Sequence, residues 1–258
     1  MNVHIKRKGT ISLIIPSHNE ENNIERCLDS IYPFSKDIEI IVVDSSTDKT
    51  PRILQEKRYG FIKILHVPTD SFCGENRNMG IKRATGKILA FIDADTEITP
   101  EWLPELKKSM EHNDIVAGFS PDPNGKHLPR VPIIINGQDI TYPTCNIAYK
   151  KEVFNKTGLF REDMKRGSDC EFNYRCTQNG YIIYYNPRMK IYHYQRKTLT
   201  GFMKQAFWNG YARYELNNMH EEIKNNSNIT QAIKNMFRYW TRNLIGGMGY
   251  ILGGKIDA

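Results

Sequence analysis

Four apolar runs, ISLIIP, IEIIVVD, FIKILHV and KILAFID, alternate with segments of helical period, and this alternation constrains the chain more than any other feature. It is the pattern of a βαβ-type, mostly parallel sheet covered by helices. Between the first two runs Ile24, Cys27, Leu28 and Ile31 recur at i, i+3, i+4 and i+7, so a helix packs behind the first strand. Thr50 with Pro51, and Thr99 with Pro100, read as N-caps followed by first-turn prolines. The second pair opens a helix carrying Leu103, Leu106 and Met110, and a further helix from Asn76 to Ala84 is closed by Gly86.

Beyond Asn113 the texture changes. DIVAGF is a short strand, Pro121 to Pro132 a proline-rich loop, and TCNIAYK a strand leading into a helix around Glu152 to Lys156. Asp169 to Gln178 is helical and ends at Gly180, and IIYYNPRMKIYHY reads as two strands turning at Asn186-Pro187. The expected class is α/β, with a Rossmann-like, mostly parallel central sheet and a C-terminal helical extension. Three parts follow, residues 1–112, 113–198 and 199–258.

The 258 residues are 40% hydrophobic and 25% charged, a soluble composition with no apolar run long enough to span a bilayer. MNVHIKRKGT leads directly into a strand and reads as no secretory signal. The five cysteines are scattered without CxxC spacing, which favours neither disulfides nor zinc and points to a reducing, cytoplasmic setting. Of the net charge of +7, five charges lie from Arg196 onward, where nine Lys and Arg face four Asp and Glu. That distribution excludes a general nucleic-acid coat and suits a basic appendage facing an anionic membrane or a phosphorylated acceptor. Ile229, Ile233, Phe237, Trp240 and Leu244 recur at helical spacing, with Lys234, Arg238 and Arg242 on another face. Such a helix either lies peripherally on the inner face of a membrane or closes the catalytic domain.

Ligands of an open parallel sheet bind beyond the carboxyl ends of its strands. Three of the predicted strand ends carry polar residues: Pro16-Ser17-His18-Asn19-Glu20, Asp44-Ser45-Ser46-Thr47-Asp48 and Asp93-Ala94-Asp95. Alternate residues of an extended segment point the same way, so Asp93 and Asp95 suit one Mg²⁺ or Mn²⁺, hard cations that share oxygen ligands with phosphates. Each polar loop alone is what turn chemistry produces anyway. The convergence of three is the informative feature.

The segments IIPSHNEENNIERCLDSI, IIVVDSSTDKT, GENRNMGIKRATGKILAFIDADTEI, TCNIAYKKEVFNKTGLF and GSDCEFNYRCTQNGY occur in the order found in the inverting glycosyltransferases of family 2, which have the GT-A fold, and the chain resembles them from about Ile11 to His193. The resemblance implies a nucleotide-sugar donor, UDP favoured, with Mn²⁺ or Mg²⁺ on its diphosphate. It implies that Asp44 contacts the base, that Asp93 lies near ribose and metal, and that Asp95 ligates the metal, completed by His193. Pro16, Ser17, Asn19, Glu20, Ser46, Arg77 and Ala94 fall on the donor side, Arg77 toward the pyrophosphate. Asp169 takes the position of the catalytic base. Cys145, Asn146, Ser168 and Glu171 fall on the acceptor side, Cys145 for packing and not as a nucleophile.

Two departures stand out. Ser168-Asp169 replaces the usual Glu-Asp pair, which bears on the acceptor, a saccharide or lipid-linked molecule. Gln205 is followed by AFWNG instead of the Q-x-x-R-W of processive members, which favours transfer of a single sugar. A haloacid dehalogenase-type phosphohydrolase also follows a strand with D-x-D, but on its first strand and with Thr or Val where Glu97 stands here. A silent nucleotide-sugar binder is the remaining alternative, and the joint presence of Asp93, Asp95 and Asp169 argues against it.

Overall fold

In the computed structural model, residues 10–123, 132–194 and 199–226 are described, side chains of 199–206, 225 and 226 excepted. The proposed amphipathic segment from Ile229 to Leu244 lies outside these residues.

The apolar runs form the strands expected of them: β1 (Ile11–Ser17), β2 (Glu39–Asp44), β3 (Lys63–His66) and β4 (Ile88–Ile92), all parallel, in the order β3-β2-β1-β4. Side chains alternate across a strand, and here both faces are dry. Leu13, Ile15, Ile40, Val42, Ala90 and Ile92 face one way, toward α1 (Ile24–Ile31) and α4 (Trp102–Met110). Ile14, Ile41, Val43, Leu89 and Phe91 face the other, toward α3 (Cys73–Arg83), α5 (Lys151–Thr157) and α6 (Ser168–Gln178). Burying each such side chain contributes roughly 1.5–3 kcal/mol, so the sheet cannot slip by one residue without exposing both layers.

The sheet then reverses. β9 (Asn146–Lys150) is antiparallel to β4 and to β6 (Ile115–Phe119), and β10 (Ile183–His193) runs parallel to β6. A short strand, β5 (Thr96–Ile98), pairs antiparallel with the end of β10 and completes eight strands. Residues on either side of the 112/113 division therefore share one sheet. A hairpin of β7 (Ile134–Ile135) and β8 (Gln138–Asp139) stands apart from it. It packs with Met164 against α7 (Leu199–Met219) and α8 (Glu221–Asn226) through Ile133, Ile135, Ile140, Leu216 and Ile223.

Several local expectations are corrected. Thr50 lies inside α2 (Thr50–Leu54), and its amide is held by Asp48 Oδ1 at 2.9 Å; Thr99 precedes α4 by a full turn. Gly86 does not end α3. It lets the chain press on β1, since a Cβ there would sit 2.6 Å from the Ser12 nitrogen. Asn186-Pro187 makes no turn between two strands: β10 is continuous, with a register shift between Asn186 and Lys190. The Asn146 amide fills that irregularity, donating to Phe119 O at 3.1 Å and Met189 O at 2.8 Å, while its Oδ1 accepts from Trp102 Nε1 at 2.9 Å.

Candidate active site

A cavity of about 310 Å³ opens beyond the carboxyl ends of β1, β2 and β4. The end of β1 and the loop after it supply Pro16, Ser17, His18 and Glu20, the loop after β2 supplies Ser45, and the turn after β4 supplies Asp93, Ala94 and Asp95. The start of α3 adds Cys73, Asn76 and Arg77, and the loop before α6 adds Lys165 and Arg166.

The two loops after β1 and β2 are knitted by Asn19. Its backbone is left-handed at φ 57°, a conformation asparagine tolerates better than most residues. Oδ1 accepts from Thr47 N at 2.8 Å, Thr47 Oγ1 at 3.2 Å and Asp48 N at 3.3 Å, and the Asn19 amide donates to Ser46 Oγ at 2.8 Å. Ser46 Oγ in turn donates to Asp44 Oδ1 at 2.6 Å. Asn19, Ser46 and Asp44, all expected on the donor side, thus stand behind the cavity wall. Asp44 is 2% exposed, with its Oδ2 lacking a hydrogen-bond donor and His66 Nδ1 at 3.5 Å.

At the end of β4 a tight turn aims both acids. Thr96 N and Oγ1 donate to Asp93 O, at 3.2 and 2.7 Å, and Tyr194 N donates to Asp95 O at 3.1 Å. Because β5 pairs with β10, residue 193 is registered against residue 96, and His193 Nε2 comes within 3.3 Å of Asp95 Oδ1. Each of Asp93, Asp95 and His193 offers one ligand atom, all within 4.8 Å of one another. Asp95 Oδ1 is buried and, apart from the His193 approach, has no hydrogen-bond donor among the described residues, a deficit that a cation would satisfy. Two carboxylates and an imidazole suit Mn²⁺ or Mg²⁺, so the residues present fit such an ion.

The electrostatics of the cluster are those of crowded charge. Burial pushes the Asp93 carboxyl up, and Arg77 Nη2, 3.7 Å from Asp93 Oδ1, works against that shift. Burial opposes a charge on His193, but bonds to Asp95 and Cys145 outweigh it and raise the ring to about 12. A bound divalent ion would displace that proton, since only the neutral imidazole ligates.

Arg77 is 6% exposed on α3, its Nη1 3.5 Å from Ser168 Oγ and its Nε without a partner. Ser168 and Asp169 open α6, whose N-cap is Gly167 in the left-handed conformation at φ 79°, so Asp169 lies in the first turn and is not the cap. Its Oδ1 accepts from Cys170 N at 2.9 Å, and its Oδ2 faces Thr144 N at 3.4 Å. Asp169 is within electrostatic reach of Cys73, Arg77 and Asp93 at the cavity. Packing sets this position. Phe172 of α6 sits in a cluster with Tyr149, Phe154 and Phe160, ring centroids 4.6–5.3 Å away, contacts worth about 0.5–1.5 kcal/mol each beyond burial.

The acceptor-side expectations fare differently. Glu171 is 1% exposed and held by Arg175, with contacts of 2.8 to 3.0 Å, and by His220 Nε2 at 3.6 Å. Asn146 is the buried brace described above, and Cys145 is 3% exposed with its Sγ 3.7 Å from Ser120 Oγ. None of the three lines the cavity, and neither does Ser168, the fourth expected acceptor residue, which is buried beside Arg77. Sequence reasoning passed over Ser71, Phe72, Cys73, Asn76, Lys165 and Arg166, which line the cavity. The only visible signal was the basic pair immediately before Gly167-Ser168-Asp169.

A parallel sheet continued by a reversed strand, with an acidic pair and an arginine over one cavity, is the arrangement of the GT-A fold. The chain belongs to glycosyl transferase family 2, whose model matches residues 12–172. It is 30% identical over 192 residues to the glycosyltransferase AglE of Haloferax volcanii, covering 67% of this chain and 63% of that protein. It is 28% identical over 169 residues to the poly(ribitol-phosphate) beta-N-acetylglucosaminyltransferase TarS of Staphylococcus aureus, covering 62% of this chain and 29% of TarS. The chain thus spans less than two thirds of the length of these relatives. The crystal structure of S. aureus TarS 1-349 in complex with UDP-GlcNAc has the same fold, with a TM-score of 0.63 at 24% identity over 74% of this chain and 60% of that one. The mannosyltransferase PcManGT from Pyrobaculum calidifontis, in complex with GDP-Man and Mn²⁺, matches at a TM-score of 0.58 and 23% identity over 74% of this chain and 59% of that one. No described helix is long and apolar enough to cross a membrane.

Proposed function

We propose that this chain is a metal-dependent inverting glycosyltransferase that moves one sugar from a UDP-sugar to a hydroxyl or phosphate acceptor, with Asp169 as base. The observation that carries the reading is the meeting of Asp93, Asp95 and His193 within 4.8 Å at the strand ends, with Arg77 beside them. The names of TarS and of the structure with UDP-GlcNAc support a UDP-sugar and a phosphate-containing acceptor; GDP-Man in PcManGT keeps the base open to test.

Asp93, Asp95 and His193 would hold Mn²⁺ or Mg²⁺, which supplies Lewis-acid neutralisation of the departing diphosphate. Arg77 contributes a fixed positive charge to the same oxygens, and its unpaired Nε is a donor in reserve. Pro16, Ser17, Glu20 and Ala94 bound the donor, while Asn19, Ser46 and Asp44 hold the loops that shape its base pocket. Asp169 accepts the proton of the acceptor hydroxyl as that oxygen attacks the anomeric carbon from the face opposite the leaving group. A saccharide or lipid-linked acceptor approaches past Ser168, and work at the inner face of a membrane follows from a lipid-linked one. The test is calorimetry of UDP with and without Mn²⁺, coupled to UDP release from UDP-GlcNAc and other nucleotide-sugars. UDP affinity independent of the metal, or no sugar transfer from any of these donors, refutes the reading.

A further inference from the structure

Two charged residues of the cavity have no part in the chemistry above. Lys165 and Arg166 line it from the loop joining Phe160 to Gly167, and that loop has already matched its acids. Arg161 pairs with Asp163 at 2.5 Å, and Glu162 accepts from Asn78 Nδ2 at 2.9 Å with Lys82 at 4.0 Å. Among the described residues neither Lys165 nor Arg166 makes a hydrogen bond or ion pair.

The loop is also pinned. Met164 is 1% exposed and belongs to the cluster of Leu216 and Ile223. Gly167 is left-handed, and a Cβ on it would lie 3.0 Å from Ala212 Cβ; a Cβ on Gly74 would lie 2.3 Å from Arg161 O. Two cations are therefore held between fixed points, facing the cavity, and among the described residues no carboxylate is in hydrogen-bond or ion-pair contact with either. A guanidinium recognises phosphate oxygens in pairs and an ammonium adds a point charge, so the adjacent pair is complementary to a phosphoryl group.

We propose that Lys165 and Arg166 bind a phosphoryl group of the acceptor, fixing its position beside Asp169. The donor diphosphate is the other source of the same chemistry. The placement favours the acceptor: Arg77 and the acidic cluster already serve the diphosphate, whereas Lys165 and Arg166 immediately precede the Gly167-Ser168-Asp169 turn. The choice of acceptor over donor rests on the sugar-transfer reading; the existence of a phosphate site does not.

The test titrates the full chain by calorimetry with UDP and Mn²⁺, then titrates glycerol 3-phosphate, with glycerol as control, onto protein with and without saturating UDP and Mn²⁺. Wild type is compared with Lys165→Ala/Arg166→Ala and with the charge-keeping Lys165→Arg/Arg166→Lys. The double alanine variant is expected to lose about tenfold or more in glycerol 3-phosphate affinity, the size expected for lost charged hydrogen bonds, with UDP affinity unchanged and binding restored by the exchanged pair. No glycerol 3-phosphate binding to wild type, or binding untouched by the alanines, overturns the site. A loss confined to UDP affinity assigns the pair to the donor and overturns the acceptor assignment. If UDP fails to bind wild type, the donor reading falls alone, and pair-dependent glycerol 3-phosphate binding to the UDP-free protein still upholds the phosphate site.

Discussion

His193 stands 3.3 Å from Asp95, ninety-eight residues away in sequence, because a three-residue strand pairs with the last residues of β10. With Asp93 these side chains form the cluster that would hold the proposed cation. Asp95→Ala is expected to abolish Mn²⁺-dependent UDP binding with little change in melting temperature, since among the described residues the polar contact of Asp95 Oδ1 is with the half-buried His193 of the same cluster. His193→Ala is expected to weaken Mn²⁺ by roughly tenfold or more, the scale seen when a metal site loses a supporting group. Calorimetry with and without Mn²⁺ measures both. Equal UDP affinity in wild type and Asp95→Ala contradicts the site.

Asp169, the proposed base, and Glu171, held in a buried ion pair, are two residues apart on α6. Asp169→Asn cannot accept a proton, so transfer is expected to fall by a factor on the order of 10² or more while melting temperature and UDP affinity hold. A single-turnover assay decides it, and near wild-type turnover moves the base elsewhere.

Glu171 is the stability residue of the pair. Removing one partner of a buried ion pair leaves the other uncompensated, at a cost of about 3–5 kcal/mol, and Glu171→Ala leaves Arg175 in that state. Urea denaturation of Glu171→Ala is expected to show a loss at the low end of that range, because Arg175 is 24% exposed and also donates to Thr157 O and Leu159 O. An unchanged midpoint returns Glu171 to the acceptor.

Asn19 separates backbone strain from side-chain bonding. Asn19→Gly keeps the left-handed backbone and loses the Oδ1 acceptor; Asn19→Ala loses both. The alanine variant is expected to be less stable than the glycine variant by about 1–2 kcal/mol, the cost of a left-handed L-residue. Equal unfolding midpoints contradict it.

Glu39 links β2 to β1 and sets an acid limit. Burial opposes its charge, but Lys63, Ser12 and Thr85 all donate to it and lower its pKa from 4.5 to about 2. A depressed carboxylate contributes stability that is complete above the unfolded value and lost as pH falls through the folded one. Wild type is therefore expected to lose more stability than Glu39→Gln between about pH 4.5 and about 2, measured by denaturation at each pH. Parallel profiles refute it.

The sequence by itself determined the strands of the parallel half, the apolar face of α1, and the acidic pair after β4. Those features are local: a run of apolar residues buried on both sides and a fixed helical period leave the chain little choice. The opening position of α6 was legible too, from Gly167 and the polar residues after it. What tertiary structure decided was pairing. β5 is three residues long and exists because β10 offers it an edge, so nothing local predicted that His193 would meet Asp95. Asn146 and Glu171 read as site residues, being polar beside a recognised motif; a bulge in β10 and the arrival of His220 bury them instead. Lys165 and Arg166 carried no local signal beyond their charge, and the burial of Met164 and the left-handed turn at Gly167 direct them into the cavity. Long-range contacts turn a local polar residue into a brace, a ligand or a free cation, and a single sequence does not carry that distinction.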